Sequence, residues 1–268
     1  MTILRSMRTL KIILSAIFIL AVCFLVVKGC VKKRTVYPKK ISVQPLVALA
    51  PRMAIILDDW GNNFSLTKNA IEIGRPLTLS VLPHLKQSKQ IAEEAHSHGL
   101  GVMLHMPMQP KNQKEGLEPH TILTAMPDTE IMRYLDEALE SVPHAEGVNN
   151  HMGSLATADE RVMRAVLGHL KSRGLFFVDS YVVSSTVAPK IGAEEKIRFT
   201  KRDVFIDNDA KLESVKGKLK DAVRIALKRG RVVVIGHDKK VTLEAIKEMV
   251  PEIEKAGVQL VFVRDLVT

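Results

Sequence analysis

Cysteine is almost absent. The 268-residue chain has two, Cys23 and Cys30, and both fall in the first fifty residues. Nothing beyond Ala50 can therefore build a disulfide framework or a cysteine-ligated zinc site. Aromatic residues are scarce at 4%, which counts against a surface built on stacked rings. Acidic residues are missing from residues 1–50, which hold nine Lys/Arg, while the rest of the chain carries 30 basic and 29 acidic residues. All but one unit of the formal charge of +10 thus belongs to the N-terminal segment. The remainder is nearly neutral, which argues against a nucleic-acid partner. There is no internal repeat, no P-loop and no GxGxxG after the first strand, so nucleotide-binding folds lose ground. What the chain does have is 46% apolar residues, which excludes a disordered polymer.

One apolar run stands apart. Ile12 to Val27 is 16 residues broken only by Ser15, with Arg5, Arg8 and Lys11 before it. As a helix it would reach ~24 Å, against a hydrocarbon core of ~30 Å; Lys11 and Lys28 could snorkel and complete the span. The Ala48-Leu49-Ala50 triplet lies too far downstream for a signal-peptidase site. Val27-Lys28-Gly29-Cys30 is a weak lipobox, with Lys28 where a small or apolar residue is wanted. An uncleaved anchor over residues 1–30 is the expectation, followed by a Pro-containing basic linker over 31–50 and one domain over 51–268. Lys28, Lys32, Lys33 and Arg34 follow the span, and by the positive-inside tendency they favour keeping that side in the cytoplasm. The preferred expectation is still a bacterial inner-membrane protein whose domain faces the periplasm or exterior, with secretion as the alternative.

From Pro51 onward short Val/Ile/Leu runs alternate with amphipathic segments. Strands are predicted at Met53–Leu57, Leu77–Leu82, Gly101–Leu104, Gly147–Asn150, Leu175–Val178, Val204–Ile206, Val232–Ile235 and Val258–Val263. Helices are predicted over Leu66–Ile73, Gln87–His98, Asp128–Ser141, from Thr157 or Asp159 to Lys171, Lys211–Lys228 and Thr242–Lys255. Near-continuous apolar strands in βαβα alternation imply a parallel sheet covered on both faces. The expected fold is a deformed (β/α) barrel of about seven mostly parallel strands.

The polar residues recur at one kind of place. Asp58, Asp59, His105, His151, Asp179, Asp207 and His237 each follow an apolar run at a strand's C-terminal end, and in a parallel barrel those ends form one face. An Asp with two neutral imidazoles is a three-ligand set for a catalytic divalent metal with an open position. A second carboxylate can take a proton from water, and a further histidine can protonate a leaving amine. That set describes metal-assisted hydrolysis of an amide or ester. Blander readings exist: Asp58-Asp59 as a helix cap, Asp179-Ser180 as a cap, Asp207-Asn208-Asp209 as a turn. His84, His96, His98, His120, His144 and His169 fall on helix faces or in loops and read as surface or packing residues. Met106 and Met108 read as packing, and Trp60 as either core or site lining.

The segment Ala54-Ile55-Ile56-Leu57-Asp58-Asp59-Trp60-Gly61 resembles the opening motif of NodB-type polysaccharide deacetylases. Together with Met103-Leu104-His105-Met106-Pro107-Met108, Val148-Asn149-Asn150-His151-Met152-Gly153-Ser154, Phe176-Phe177-Val178-Asp179-Ser180 and Ile235-Gly236-His237, it is similar to the divergent polysaccharide deacetylase family over about residues 51–265. The resemblance implies a NodB-like barrel and a divalent metal, zinc being the expected ion. It implies Asp59, His105 and His151 as metal ligands, Asp58 as catalytic base, His237 as general acid and Asp179 as a catalytic group tuning the acid. Asn149, Asn150 and Asp207 are expected on the substrate side. The family's His-x-x-x-His spacing is interrupted, because Gln109 stands four residues after His105. His151 would then supply the second imidazole from another strand.

The expected function is a metal-dependent envelope hydrolase that deacetylates an N-acetylated polysaccharide or peptidoglycan. The alternative is a catalytically inactive envelope protein that binds glycan or a cell-wall partner through the same fold. Hydrolysis of another acyl or phosphoryl bond is the third reading.

Overall fold

A run such as Met53–Leu57 is apolar on both faces of a strand, and such strands need cover on both sides. The computed structural model, which describes residues 50–112 and 116–268, supplies it. Nine strands pair in parallel: β1 (Arg52–Trp60), β2 (Thr78–Val81), β3 (Gly101–Met108), β4 (Gly147–Met152), β5 (Phe176–Asp179), β6 (Phe199–Lys201), β7 (Val204–Phe205), β8 (Arg231–His237) and β9 (Gln259–Val261). Seven helices connect or flank them: α1 (Phe64–Glu72), α2 (Ser88–Ser97), α3 (Asp128–Ser141), α4 (Glu160–Ser172), α5 (Ala188–Glu195), α6 (Leu212–Arg229) and α7 (Lys240–Lys255). The start of α4 is settled by Asp159, whose carboxylate accepts the Val162 backbone N–H at 2.9 Å, a standard N-cap.

The sheet runs β6-β5-β4-β3-β2-β1-β8-β7 and curls into a half-barrel. Strand β1 lies inside it. One of its edges pairs with β8 from Arg52 to Asp58; β9 at Arg52–Ala54 and β2 at Ile56–Trp60 share the other. The two outermost strands, β6 and β7, are separated in sequence by Arg202 and Asp203 alone. The Arg202 N–H bonds to Asp179 O and the Asp203 N–H to Val233 O. The chain therefore steps across the seam, from the β5 side to the β8 side, in two residues.

Period-2 alternation sorts the side chains into two apolar layers. Met53, Ile55 and Leu57 join the large cluster under the helices. Ala54 and Ile56 of β1, Met103 of β3, Phe176 and Val178 of β5, Val233 and Ile235 of β8 and Val261 of β9 form a second, interior cluster with Val263 and Leu266. Gly147 of β4 is needed for that interior packing, since a Cβ there would fall 2.3 Å from the Phe176 ring.

Several expectations need correction. The strand count is nine rather than about seven. Strand β3 continues past Leu104 through Pro107 to Met108, with Pro107 paired opposite His151; its carbonyl still accepts the Ile122 N–H at 2.9 Å. Neither α5 nor β6 was expected. Trp60 is fully buried within the large core cluster and is not a site residue. The expected membrane anchor and linker lie outside the described residues. Among the described residues no helix is long and apolar enough to cross a membrane.

Candidate active site

The interior apolar layer ends abruptly. Continuing the same alternation one step toward the C-terminal ends replaces Ile56 by Asp58, Met103 by His105, Val178 by Ser180 and Ile235 by His237. Strand β4 contributes Asn149 and His151 from the register that begins at Gly147. A cavity of about 360 Å³ opens above this layer, lined by Asp58, Asp59, His105, His151, Arg202 and His237 among others.

Asp59 should not be there, because consecutive strand residues face opposite sides. Two features turn it inward. The β1–β2 register shifts between Leu57 and Trp60, and Asp59 itself sits at φ 68°, a left-handed conformation uncommon for a residue with a Cβ. Local strain of this kind gathers at functional sites. It lets two adjacent carboxylates reach one cavity.

Three ligand atoms converge there. Asp59 Oδ1 is 3.0 Å from His151 Nδ1 and 3.2 Å from His105 Nε2, and the two ring nitrogens are 3.2 Å apart. Metal–ligand bonds of about 2.0–2.2 Å around one ion put neighbouring ligands roughly 3.0–3.5 Å apart, so the triad has the right spacing. The hydrogen bonding behind it fits as well. Only the amide NH2 of Asn149 can face a carboxylate, and Nδ2 donates to Asp58 Oδ1 at 2.9 Å. Its Oδ1 must then accept, from Ser80 Oγ at 2.5 Å and from His105 Nδ1 at 2.7 Å. His105 therefore carries a proton on Nδ1 and turns Nε2 toward Asp59 and His151. Burial pushes the His105 pKa down, but the Asp58 and Asp59 carboxylates outweigh it and pull it up to about 9. Burial also works against the Asp59 carboxylate, yet its bonds to the two imidazoles hold it well below the usual range.

A second pair faces the triad. His237 Nδ1 donates to Asp207 Oδ1 at 2.8 Å, and its Nε2 points into the cavity 3.6 Å from Asp59 Oδ2. The other Asp207 oxygen accepts the His237 N–H at 2.9 Å and Thr242 Oγ1 at 2.8 Å. Burial lowers the His237 pKa, and the hydrogen bond and charge of Asp207 overcome this and raise it. Asp58 is pushed the opposite way for a carboxylate: burial raises it, partly offset by His105 and Asn149. Its Oδ2, 3.7 Å from His105 Nε2, is the oxygen not used by Asn149.

The structure reassigns four expected roles. Asp179 is fully buried and does not reach His237; its carboxylate accepts from Tyr181 N at 2.8 Å and Thr186 Oγ1 at 2.9 Å and fixes the loop after β5. The histidine is oriented by Asp207 instead, which is buried and has no substrate-facing surface. Asn149 is likewise fully buried and organises His105 and Asp58. Asn150 lines the cavity, but its amide is spent on backbone groups: Nδ2 donates to Met152 O of its own strand at 2.7 Å, and Oδ1 accepts the Ser180 N–H just after β5 at 2.9 Å. Gln109 is turned away: its Oε1 accepts Thr124 N at 2.8 Å and Thr124 Oγ1 at 2.9 Å. Arg202 was missed. It sits in the charged run Lys201-Arg202-Asp203, which has no apolar run leading into it as the other site residues do. None of the six helix and loop histidines lines the cavity.

Relatives and solved structures agree with this architecture. The uncharacterized Escherichia coli K12 protein YibQ is 31% identical over 202 residues, 75% of this chain. The chain spans 63% of the length of that relative. An uncharacterized Haemophilus influenzae protein is 29% identical over 83% of this chain and 79% of its own. Among solved structures, the uncharacterized protein ATU2773 from Agrobacterium tumefaciens C58 superposes with a TM-score of 0.78 at 23% identity, covering 82% of this chain and 91% of that one. Peptidoglycan deacetylase PdaC from Bacillus subtilis gives a TM-score of 0.50 at 12% identity over 81% and 90% of the two chains. A CE4 family pseudoenzyme from Bacillus anthracis gives 0.51 at 11% identity over 82% and 66%. At these identities the likeness is one of fold, a NodB-like half-barrel shared by active and inactive proteins. The family model described as divergent polysaccharide deacetylase matches residues 55–267, a span that takes in every side chain of the site, and the chain belongs to that family.

Proposed function

We propose that the protein is a metal-dependent hydrolase that removes acetyl groups from an N-acetylated polysaccharide or peptidoglycan. One observation carries this reading above the fold: a carboxylate and two imidazoles from three strands converge at 3.0–3.2 Å, with an unused carboxylate oxygen and an Asp-oriented histidine beside them. A divalent cation held by Asp59, His105 and His151, with zinc favoured by the donor set, would supply Lewis-acid polarisation of the acetyl carbonyl and acidify water. The protein's own groups do the rest. Asp58 Oδ2 takes the proton from the attacking water, and its raised pKa makes it a stronger base than a solvated carboxylate. His237 holds a proton at Nε2 for the departing amine, while Asp207 fixes its tautomer and stabilises its charge. Asn149 couples the two halves, since one amide orients both His105 and Asp58.

The missing His-x-x-x-His spacing does not favour the inactive reading, because His151 fills the gap in space. Location in the cell envelope, through an anchor at residues 1–30, belongs to the same proposal and rests on the apolar run alone. The test is acetate release from N-acetylated glycan oligomers and peptidoglycan by the full-length chain, beside metal analysis of wild type and His151→Ala. About one ion per chain, lost in the variant, with acetate release that Asp58→Asn abolishes, is the expected result. No acetate from any glycan with any divalent metal would overturn it.

A further inference from the structure

Among the described residues Arg202 is the one guanidinium lining the cavity, and hydrolysis as described gives it nothing to do. It is half-buried at the two-residue crossing between β6 and β7. Nε donates to Ser180 O at 2.6 Å and Nη2 to Tyr181 O at 2.8 Å. Both acceptors are neutral carbonyls, so the side chain is held in place without its charge being cancelled. Among the described residues no carboxylate lies within 4.0 Å of it, and Nη1 has no hydrogen-bond partner. Burial lowers its pKa, with Asp179 and Asp58 opposing, and an arginine stays charged under such shifts.

Its position is tied to the reacting groups through Phe205. The Phe205 ring centroid lies 5.0 Å from the Arg202 guanidinium carbon and 5.0 Å from the His237 ring, the latter edge-on at 86°. The guanidinium and the histidine assigned to the leaving amine therefore flank one phenyl ring. A substrate whose acetamide nitrogen faces His237 would bring a neighbouring substituent toward Arg202. Asp58 and Asp59 disfavour an anion on their side of the cavity, and in the hydrolase reading His105, His151 and His237 are engaged with the cation and the acetamide, which leaves Arg202 as the cationic group open to a negatively charged substituent.

We infer that Arg202 is a specificity residue that binds a carboxylate carried beside the N-acetyl group, so that the preferred substrate is an acidic N-acetylated sugar rather than a neutral one. The inference rests on the hydrolase reading for the orientation of the acetamide. The matching chemistry is a carboxylate-bearing ether on the ring carbon next to the acetamide, as in N-acetylmuramic acid. A fixed guanidinium with a free edge suits a planar carboxylate.

The test compares a disaccharide containing N-acetylmuramic acid with its methyl ester, which removes that charge at the cost of one added methyl group. Binding of each to the full-length chain is measured by titration for wild type, Arg202→Gln and Arg202→Lys, with acetate release followed in parallel. Wild type should prefer the acid by tenfold or more. In Arg202→Gln that ratio should collapse to within about threefold, and Arg202→Lys should recover part of it, as a point charge without the fork. A wild-type ratio near one, a ratio unchanged in Arg202→Gln, or equal weakening of both ligands would overturn the inference; the last would mean that Arg202 only anchors the Ser180–Tyr181 loop. Selective binding with no acetate release from any glycan under any divalent metal would keep the Arg202 assignment and sink the hydrolase reading. Acetate release without selectivity would do the reverse.

Discussion

Asn149→Ala should damage metal affinity although Asn149 is no ligand. The amide accepts from Ser80 and His105 and donates to Asp58, with a further 3.3 Å contact to Ser180 Oγ. Truncation removes the acceptor that keeps the proton on His105 Nδ1, so the ring is free to present the wrong nitrogen. Loss of such a partner typically lowers metal affinity 10–100-fold, equivalent to ~1.4–2.8 kcal/mol. The fold suffers too. A hydrogen bond to a buried charge contributes roughly 1.5–3 kcal/mol and each neutral one about 1; water entering the hole recovers part of this, leaving a net loss of about 3 kcal/mol. Asn149→Asp is the informative contrast. It keeps an acceptor for His105 and Ser80 but loses the donor to Asp58 and adds a like charge, which raises the pKa of the carboxylate pair. Metal affinity should then fall less than in the alanine variant, while acetate release falls at least as far. Competition against a chromogenic chelator on the full-length protein measures the metal affinity, and thermal melting the loss of stability. If folded Asn149→Ala holds zinc within about threefold of wild type, the assignment of Asn149 as the group that sets the His105 tautomer is wrong.

Three further outcomes are expected. Gln109→Ala should lower the melting midpoint, by freeing Thr124 and its loop, and leave metal content unchanged; loss of the ion would show that the position four residues after His105 is a ligand after all. Asp207→Asn removes the interactions that raise His237, so the alkaline limb of kcat/KM should move to lower pH. The sign for stability follows the same shift: a raised histidine stabilises fully below pH ~6.5 and loses that contribution as pH rises through its folded pKa. Asp207 is held below the usual carboxylate range and contributes fully only above pH ~3.9, so the variant should lose the most stability, relative to wild type, between about pH 4 and 6.5; an unmoved limb would separate Asp207 from the acid. Gly147→Ala drives a methyl to 2.3 Å from the Phe176 ring and should cost about 1–3 kcal/mol as overpacking, read by chemical denaturation; an unchanged midpoint would mean the interior layer yields easily.

Much of this was legible because the fold writes its site in a simple grammar. Strand-end positions after apolar runs gave Asp58, Asp59, His105, His151 and His237 by residue type alone. The division of labour among them was less visible. Asn149 and Asp207 look like substrate-facing groups in sequence, and only their burial shows that they hold other side chains. Asp179 follows the strand-end pattern too, yet its bonds are spent on Tyr181 and Thr186. Helix α5 escaped because Ala188–Glu195 is short and contains a glycine, and β6 because three residues carry almost no periodicity. Strand β3 runs longer than expected because Pro107, normally a reason to end a strand, keeps a paired carbonyl. Arg202 carried no signal, since its place comes from the seam rather than from any strand.

The position of β1 has a bearing on how the chain reaches its folded state. Its edges are completed by β2 nearby and by β8 and β9, about 180 and 207 residues downstream, and pairings that distant in sequence form slowly. Asp59, His105 and His151 all lie in the first half of residues 50–268, whereas His237 arrives only when β8 closes on β1. A chain interrupted before Arg231 would still hold three residues able to ligate a metal, but with an unpaired apolar edge on β1 and without its proton donor. Under the hydrolase reading, metal capture and catalytic competence are separate events in the maturation of the protein, and the stretch from Arg231 onward decides the second.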